Sequence, residues 1–160
     1  MTQRPAHIDD EGVARMVDIG DRPEGERTAI AEGVVRCTAE ALSAITAGAG
    51  PKGEVLGTAR IAAILAAKRT AELIPMCHPL PLTHVAVDLT PDATLPGIRI
   101  RAGATCIGRT GVEMEALTAV TVAALTVIDM AKSIDRWMTV EGVGLVYKSG
   151  GKSGTVSRPG

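Results

Sequence analysis

The sequence predicts an α+β sandwich of ferredoxin-like type, an antiparallel sheet with helices packed on one face. Three observations point there. The elements fall in the order strand, helix, helix, strand, then strand, helix, strand. No regular run of parallel crossovers interrupts these two β-α-β halves. The longest helical stretch is apolar nearly all round, so a sheet, a partner helix or both must cover it.

Each element has its own signal. Residues 1–25 are rich in Asp, Glu, Gly and Pro and lack sustained periodicity; they read as a mobile arm, with MVDI (16–19) a candidate short strand. A single domain then spans 26–154, and 155–160 form a tail. TAIAEGVVRC (28–37) carries β-branched residues in rough alternation, as a strand does. A helix over 38–47 follows, ended by the break GAGPKG (48–53). An Ala-rich helical stretch runs from Glu54 to about Ile74, where Pro75 stops it. MCHPLP (76–81) reads as a rigid loop with two prolines.

HVAVDLT (84–90) alternates like a half-buried strand, and IRIRAGATCI (98–107) is its successor. Thr110 and Glu113 have capping-box spacing, which predicts a long helix from Val112 to about Ile134. The last strand covers 138–147, and the chain closes with KSGGKSG (148–154) and the short tail. The second sheet face and the excess apolar surface of the long helix both favour a homo-oligomer.

Composition removes several function classes. The chain has 160 residues, 46% hydrophobic and 22% charged, enough for one domain with its own core. One Trp, one Tyr and no Phe leave no base-stacking platform. With 17 basic and 18 acidic side chains the net charge is −1, which argues against a general nucleic-acid or membrane-surface binder. The longest nearly unbroken apolar run (61–67) is far below the roughly 20 residues of a membrane span. Cys37, Cys77 and Cys106 are too scattered for a disulfide framework. Free thiols and an N-terminus without an apolar signal core point to the cytoplasm.

Some residues could carry chemistry. Met114, Thr118, Thr121, Leu125, Asp129 and Lys132 project within about 80° of one another on the long helix. Asp129 and Lys132 are surface neighbours, able to share a proton or to form an ordinary surface pair. Glu113 and Glu115 sit where a helix favours negative charge. Asp129 lies 14 residues beyond Glu115, roughly 21 Å along the axis, so one small ligand cannot touch both within one chain. KSGGKSG is not a P-loop, because Val146 stands where the pattern requires Gly and no helix-length sequence follows. Its lysines and amides can still bind phosphate, or simply be a solvated basic tail.

His78 beside Cys77, pinned between prolines, can shuttle protons or be a structural loop residue. A metal site recruiting Cys77 and His84 lacks further clustered ligands. Lys68 and Arg69 could complement a helix end, and Lys52 could be only solvated.

Together these segments resemble the MoaC family, the cyclic pyranopterin monophosphate synthases of molybdenum cofactor biosynthesis. AAKRTAELIPMCHPL (66–80), TGVEMEALTAVTVAALTVIDMAKSID (110–135) and KSGGKSG (148–154) carry the resemblance. HIDDEGVARMVDIG (7–20) and PKGEVLGTARIA (51–62) extend it over nearly the whole chain. It implies a lyase that converts 3′,8-cyclo-7,8-dihydroguanosine 5′-triphosphate to cyclic pyranopterin monophosphate and pyrophosphate. It also implies a ferredoxin-like homohexamer, a trimer of dimers, with sites at subunit interfaces.

By this resemblance Asp129, Lys132 and Lys148 are the catalytic residues. Met76, Cys77, His78, Glu113, Met114 and Glu115 contact substrate, and Lys52, Lys68 and Arg69 are further phosphate candidates. Met76 departs from the frequent Leu, a mild exchange. No protein metal site or resident cofactor is implied, although magnesium can accompany the phosphates. The other reading is a noncatalytic nucleotide- or pterin-binding oligomer of the same fold.

Overall fold

The computed structural model describes residues 8–9 and 11–159. Of the expected arm, residues 1–7 and Asp10 lie outside the described residues, as does Gly160 of the tail. The elements are β1 (Gly25–Arg36), α1 (Ala39–Thr46), α2 (Val55–Lys68), α3 (Thr70–Leu73), β2 (Leu82–Asp92), β3 (Gly97–Gly108), α4 (Glu113–Ala131), β4 (Thr139–Ser149) and β5 (Val156–Ser157). The sheet order is β2-β3-β1-β4-β5, and every neighbouring pair is antiparallel. Its first four strands have the ferredoxin-like arrangement. The expected fold class is therefore the observed one.

Alternation decides which face is covered. Ala29, Ala31 and Val35 of β1 and Ile98, Ile100, Ala102 and Ala104 of β3 point inward and are buried. Helices α2 and α4 lie over them, and Ala59, Ala63, Ala116, Ala119 and Ala123 keep the two helices close. Gly33 of β1 is bare where α4 presses down: a Cβ there would come 2.9 Å from Val120 Cγ1. By length and hydropathy α4 could cross a membrane, but about half of its residues are buried in this core. The other sheet face has no helix on it; there Asp88, Arg101 and Glu32 stand side by side in register across β2, β3 and β1.

Several boundaries differ from expectation. The segment 16–19 is not a strand; a bridge joins Ile8 and Ala14, and Val17 gives its carbonyl to a side chain instead. The helix over 54–74 breaks at Arg69, because Thr70 Oγ1 donates to the carbonyls of Ala66 and Ala67 and ends α2. The Thr110 capping box does not form. Val112 is the cap residue and receives no side-chain bond, since Glu113 turns to a lysine. Helix α4 stops at Ala131, and Asp135 beyond it accepts from the amides of Thr38 and Trp137, tying the turn to the start of α1. Two caps follow the usual chemistry: Thr38 accepts from Ala41 N, and Glu54 from Gly57 N.

Strand direction sets up two ends. Because β1 and β2 both oppose β3, they run the same way, and α2 and α4 return antiparallel to each other. The starts of β1, β2 and α4 and the ends of β3, β4 and α2 thus meet at one end. Lys52, Asp129 and Lys132 lie at the other.

Candidate active site

The first end is concave. Strand β4 delivers Lys148, whose Nζ donates to Glu113 Oε1 at 2.5 Å. Both side chains are only about a quarter exposed, 27% and 28%. One turn position further, Glu115 points inward and is 4% exposed. Burial raises its carboxyl above the ordinary carboxylate range, its own amide opposes this, and the neighbouring Glu113 adds to it. Two glutamates two residues apart thus meet different environments. Glu113 is matched by an ammonium, whereas Glu115 is drawn towards its protonated form.

The loop before β2 supplies the facing wall. Met76, Cys77 and His78 line a cavity of about 290 Å³ together with Glu113, Met114 and Glu115. His78 Nε2 lies 2.8 Å from the Val17 carbonyl, so Nε2 is the donor and binds the arm to the loop. Burial raises the Cys77 thiol, and Glu115 adds to that. A neighbouring cleft of about 780 Å³ is walled by Arg22, Arg27, Arg109, Lys148 and the 149–153 loop. Arg22, Thr110, Gly111 and Glu113 line both spaces, so they adjoin. One part is small and mixed apolar, the other wide and rich in cations.

The opposite end is open to solvent. Asp129 accepts from Lys52 Nζ through Oδ2 and from Lys132 Nζ through Oδ1, both at 2.7 Å. The bonds from Lys132 and then Lys52 hold its carboxyl down at about 2, against an ordinary 3.8. All three side chains are half exposed. No described cavity includes them. The expected site is therefore divided: Lys148, Glu113, Met114, Glu115, Met76, Cys77 and His78 gather at one end, and Asp129, Lys132 and Lys52 at the other.

A model of the MoaC family matches residues 16–151. Relatives from Brucella ovis, Brucella melitensis and Brucella canis, each named cyclic pyranopterin monophosphate synthase, are 56% identical over 154 residues. These alignments cover 96% of this chain and 93% of each relative.

The chain belongs to the MoaC family.

Lys68 and Arg69, the weaker phosphate candidates, fall at the concave end but remain exposed and line neither cavity. Among the described residues no group of three His, Cys, Asp or Glu side chains could cage a metal, and His84 is exposed on β2. Three cations that line the cleft of this MoaC chain carried no motif in its sequence: Arg22, Arg27 and Arg109. Arg27 had a legible signal, a cation at an inward position of β1, in step with Ala29 and Ala31. Arg22 and Arg109 had none, because the fold brings them together. Arg109 donates through Nη1 to the Gly20 carbonyl and lies near Glu24, holding the arm against the cleft.

Proposed function

We propose that this chain is a cyclic pyranopterin monophosphate synthase. It takes 3′,8-cyclo-7,8-dihydroguanosine 5′-triphosphate, releases pyrophosphate and leaves the cyclic phosphate on a pyranopterin. One observation carries the reading: a cation-rich cleft adjoins a smaller pocket walled by Glu113 and the buried Glu115. A polyphosphate tail suits the first and a polar fused ring the second.

Closure of the cyclic phosphate needs little from the protein beyond charge and one proton acceptor. A ribose-derived hydroxyl attacks the α-phosphorus, its proton leaves to a base, and the bond to the bridging oxygen breaks as pyrophosphate departs with the electron pair. Cations aimed at the departing phosphates stabilise that charge. Lys148 meets this requirement at the concave end. Asp129, held at about 2 by its two lysines, is a poor base as it stands. It orients Lys132 and Lys52, and becomes more basic once phosphates draw those ammonium groups away.

The two ends cannot serve one ligand inside one chain. We therefore read the working site as composite, with the Asp129 end of one copy brought to the Lys148 end of another in the homohexamer. Magnesium would travel with the phosphates, and the reducing cytoplasm suits three free thiols.

Mixing two strongly impaired variants tests this. K148M and D129N chains, unfolded and reassembled together, should regain turnover in about a quarter of sites by random assortment. Pyrophosphate release from the cyclic nucleotide is the readout. No recovery from two well-assembled impaired parents would sink the composite site. Binding without release by the unaltered protein would instead favour a noncatalytic pterin- or nucleotide-binding oligomer.

A further inference from the structure

The sheet face without a helix carries its side chains in rows across the strands. Register places Asp88 of β2 beside Arg101 of β3, Arg101 beside Glu32 of β1, and Glu32 beside Gly144 of β4. Gly144 has no side chain, and Arg158, just beyond β5, fills its place. A Cβ on Gly144 would stand 3.3 Å from Arg158 Nη1. The Arg158 amide donates to the Val146 carbonyl at 2.9 Å, which pins the residue there. The row therefore alternates in sign: Asp88, Arg101, Glu32, Arg158. Arg101 donates to Glu32 Oε1, and Arg158 Nη2 lies 3.8 Å from Glu32 Oε2. Asp88, at the end of the row, has no partner among the described residues.

The next row is apolar and graded in size. Ala86, Gly103, Ile30 and Tyr147 cross the same four strands, small residues on β2 and β3 and large ones on β1 and β4. A second copy given a half turn about an axis along the strands, between β1 and β3, presents the strand order reversed with each row over itself. Asp88 then faces Arg158 of the other copy and Arg101 faces its Glu32, so every charge meets its opposite. In the apolar row Tyr147 falls on Ala86 and Ile30 on Gly103, so large meets small. Two rows of unrelated chemistry select the same axis. Glu32, Asp88, Arg99, Arg101 and Arg158 line a hollow of about 670 Å³, room for the side chains of an opposing row. Sheets stacked face to face keep their strands within about 30° of each other, as this axis requires.

We propose that the uncovered sheet face is a two-fold contact with a second copy of this chain. The apolar row supplies buried area. The charged row fixes register, because ion pairs lose to desolvation much of what they gain. The face lies across the sheet from α4, and the contact needs no turnover to be true.

Sedimentation equilibrium of the full chain tests it through two charge reversals. D88K sets like charge against Arg158 of the other copy, and R158E sets like charge against its Asp88. Each clash occurs twice in a two-fold contact, so each variant alone should weaken association about tenfold or more and halve the assembled mass. An equal mixture of the two should recover the unaltered mass, because the two reversed charges then face each other and the two native ones do likewise. G103L, which fills the space that receives Ile30, should weaken association with no change of charge. Tyr147 emission should be shielded from acrylamide in the unaltered protein and open to it in D88K and in R158E.

Unchanged mass in both charge variants overturns the contact. Dissociation of each without recovery on mixing overturns this axis. Equal quenching of Tyr147 in the assembled and dissociated protein overturns the contact as well. Loss of pyrophosphate release with the contact intact would count against the proposed activity alone.

Discussion

The two ends of α4 use the same charges in opposite ways. At its start, Lys148 and Glu113 form one short, half-buried pair beside the buried Glu115, within reach of two cavities. At its far end, Asp129 holds two lysines in the open, all three side chains half exposed. A half-buried pair is selective because its geometry is fixed and water is scarce. An exposed cluster is strong only when something else removes the water. The difference teaches that one fold can place the same charges in a partly enclosed cleft at one end of a helix and in open solvent at the other.

The sharpest way to break this contrast is K148M. Turnover should fall on the order of a thousandfold, as when a transition-state donor is lost, while assembly is kept. A rise in KM alone, with kcat preserved, would make Lys148 an anchor only. D129N should cost less, about a hundredfold in kcat, since both lysines remain but lose their common partner. Steady-state assays with matched sedimentation profiles check both.

Acid should then separate the ends by sign. Asp129 is depressed, so its share of stability is present above 3.8 and lost as pH falls towards about 2. Glu115 is raised, so its share is present at low pH and declines as pH rises past its ordinary value. Carboxyl NMR titrations, compared with D129N and E115Q, should show shifts of opposite direction. The smallest effect belongs to K68A and R69A. These exposed cations, which line neither cavity, should change pyrophosphate affinity by about fivefold or less.

Much of the fold was legible in the sequence because each element carries its own period. The alternation of β1 and β3 and the apolar face of α4 fixed element order, and the return path followed from that order. Losses came where a side chain competed with the backbone. Thr70 took the carbonyls that would have continued α2, and Glu113 left its cap for Lys148. Both partners are distant or ambiguous along the chain. The β5 pairing is two residues long and below any periodic signal. The candidate residues could be named from motif, but their division between two ends required the sheet order. Arg27 was visible only as a wrong-sided charge within a strand.

The chain's scarcity of aromatic rings leaves it with built-in optical labels. Trp137 is 84% exposed on the turn after α4, at the Asp129 end, and Tyr147 adjoins Lys148 at the other. With no Phe and no second Trp or Tyr, each ring marks one place in each chain. Indole emission should move to shorter wavelength when another copy covers that turn. Tyr147 pairs with Ile30 and so stands on the opposite face of β4 from Lys148, where its ring reports on the sheet face that no helix covers. The protein can thus be watched assembling through a colour it already carries.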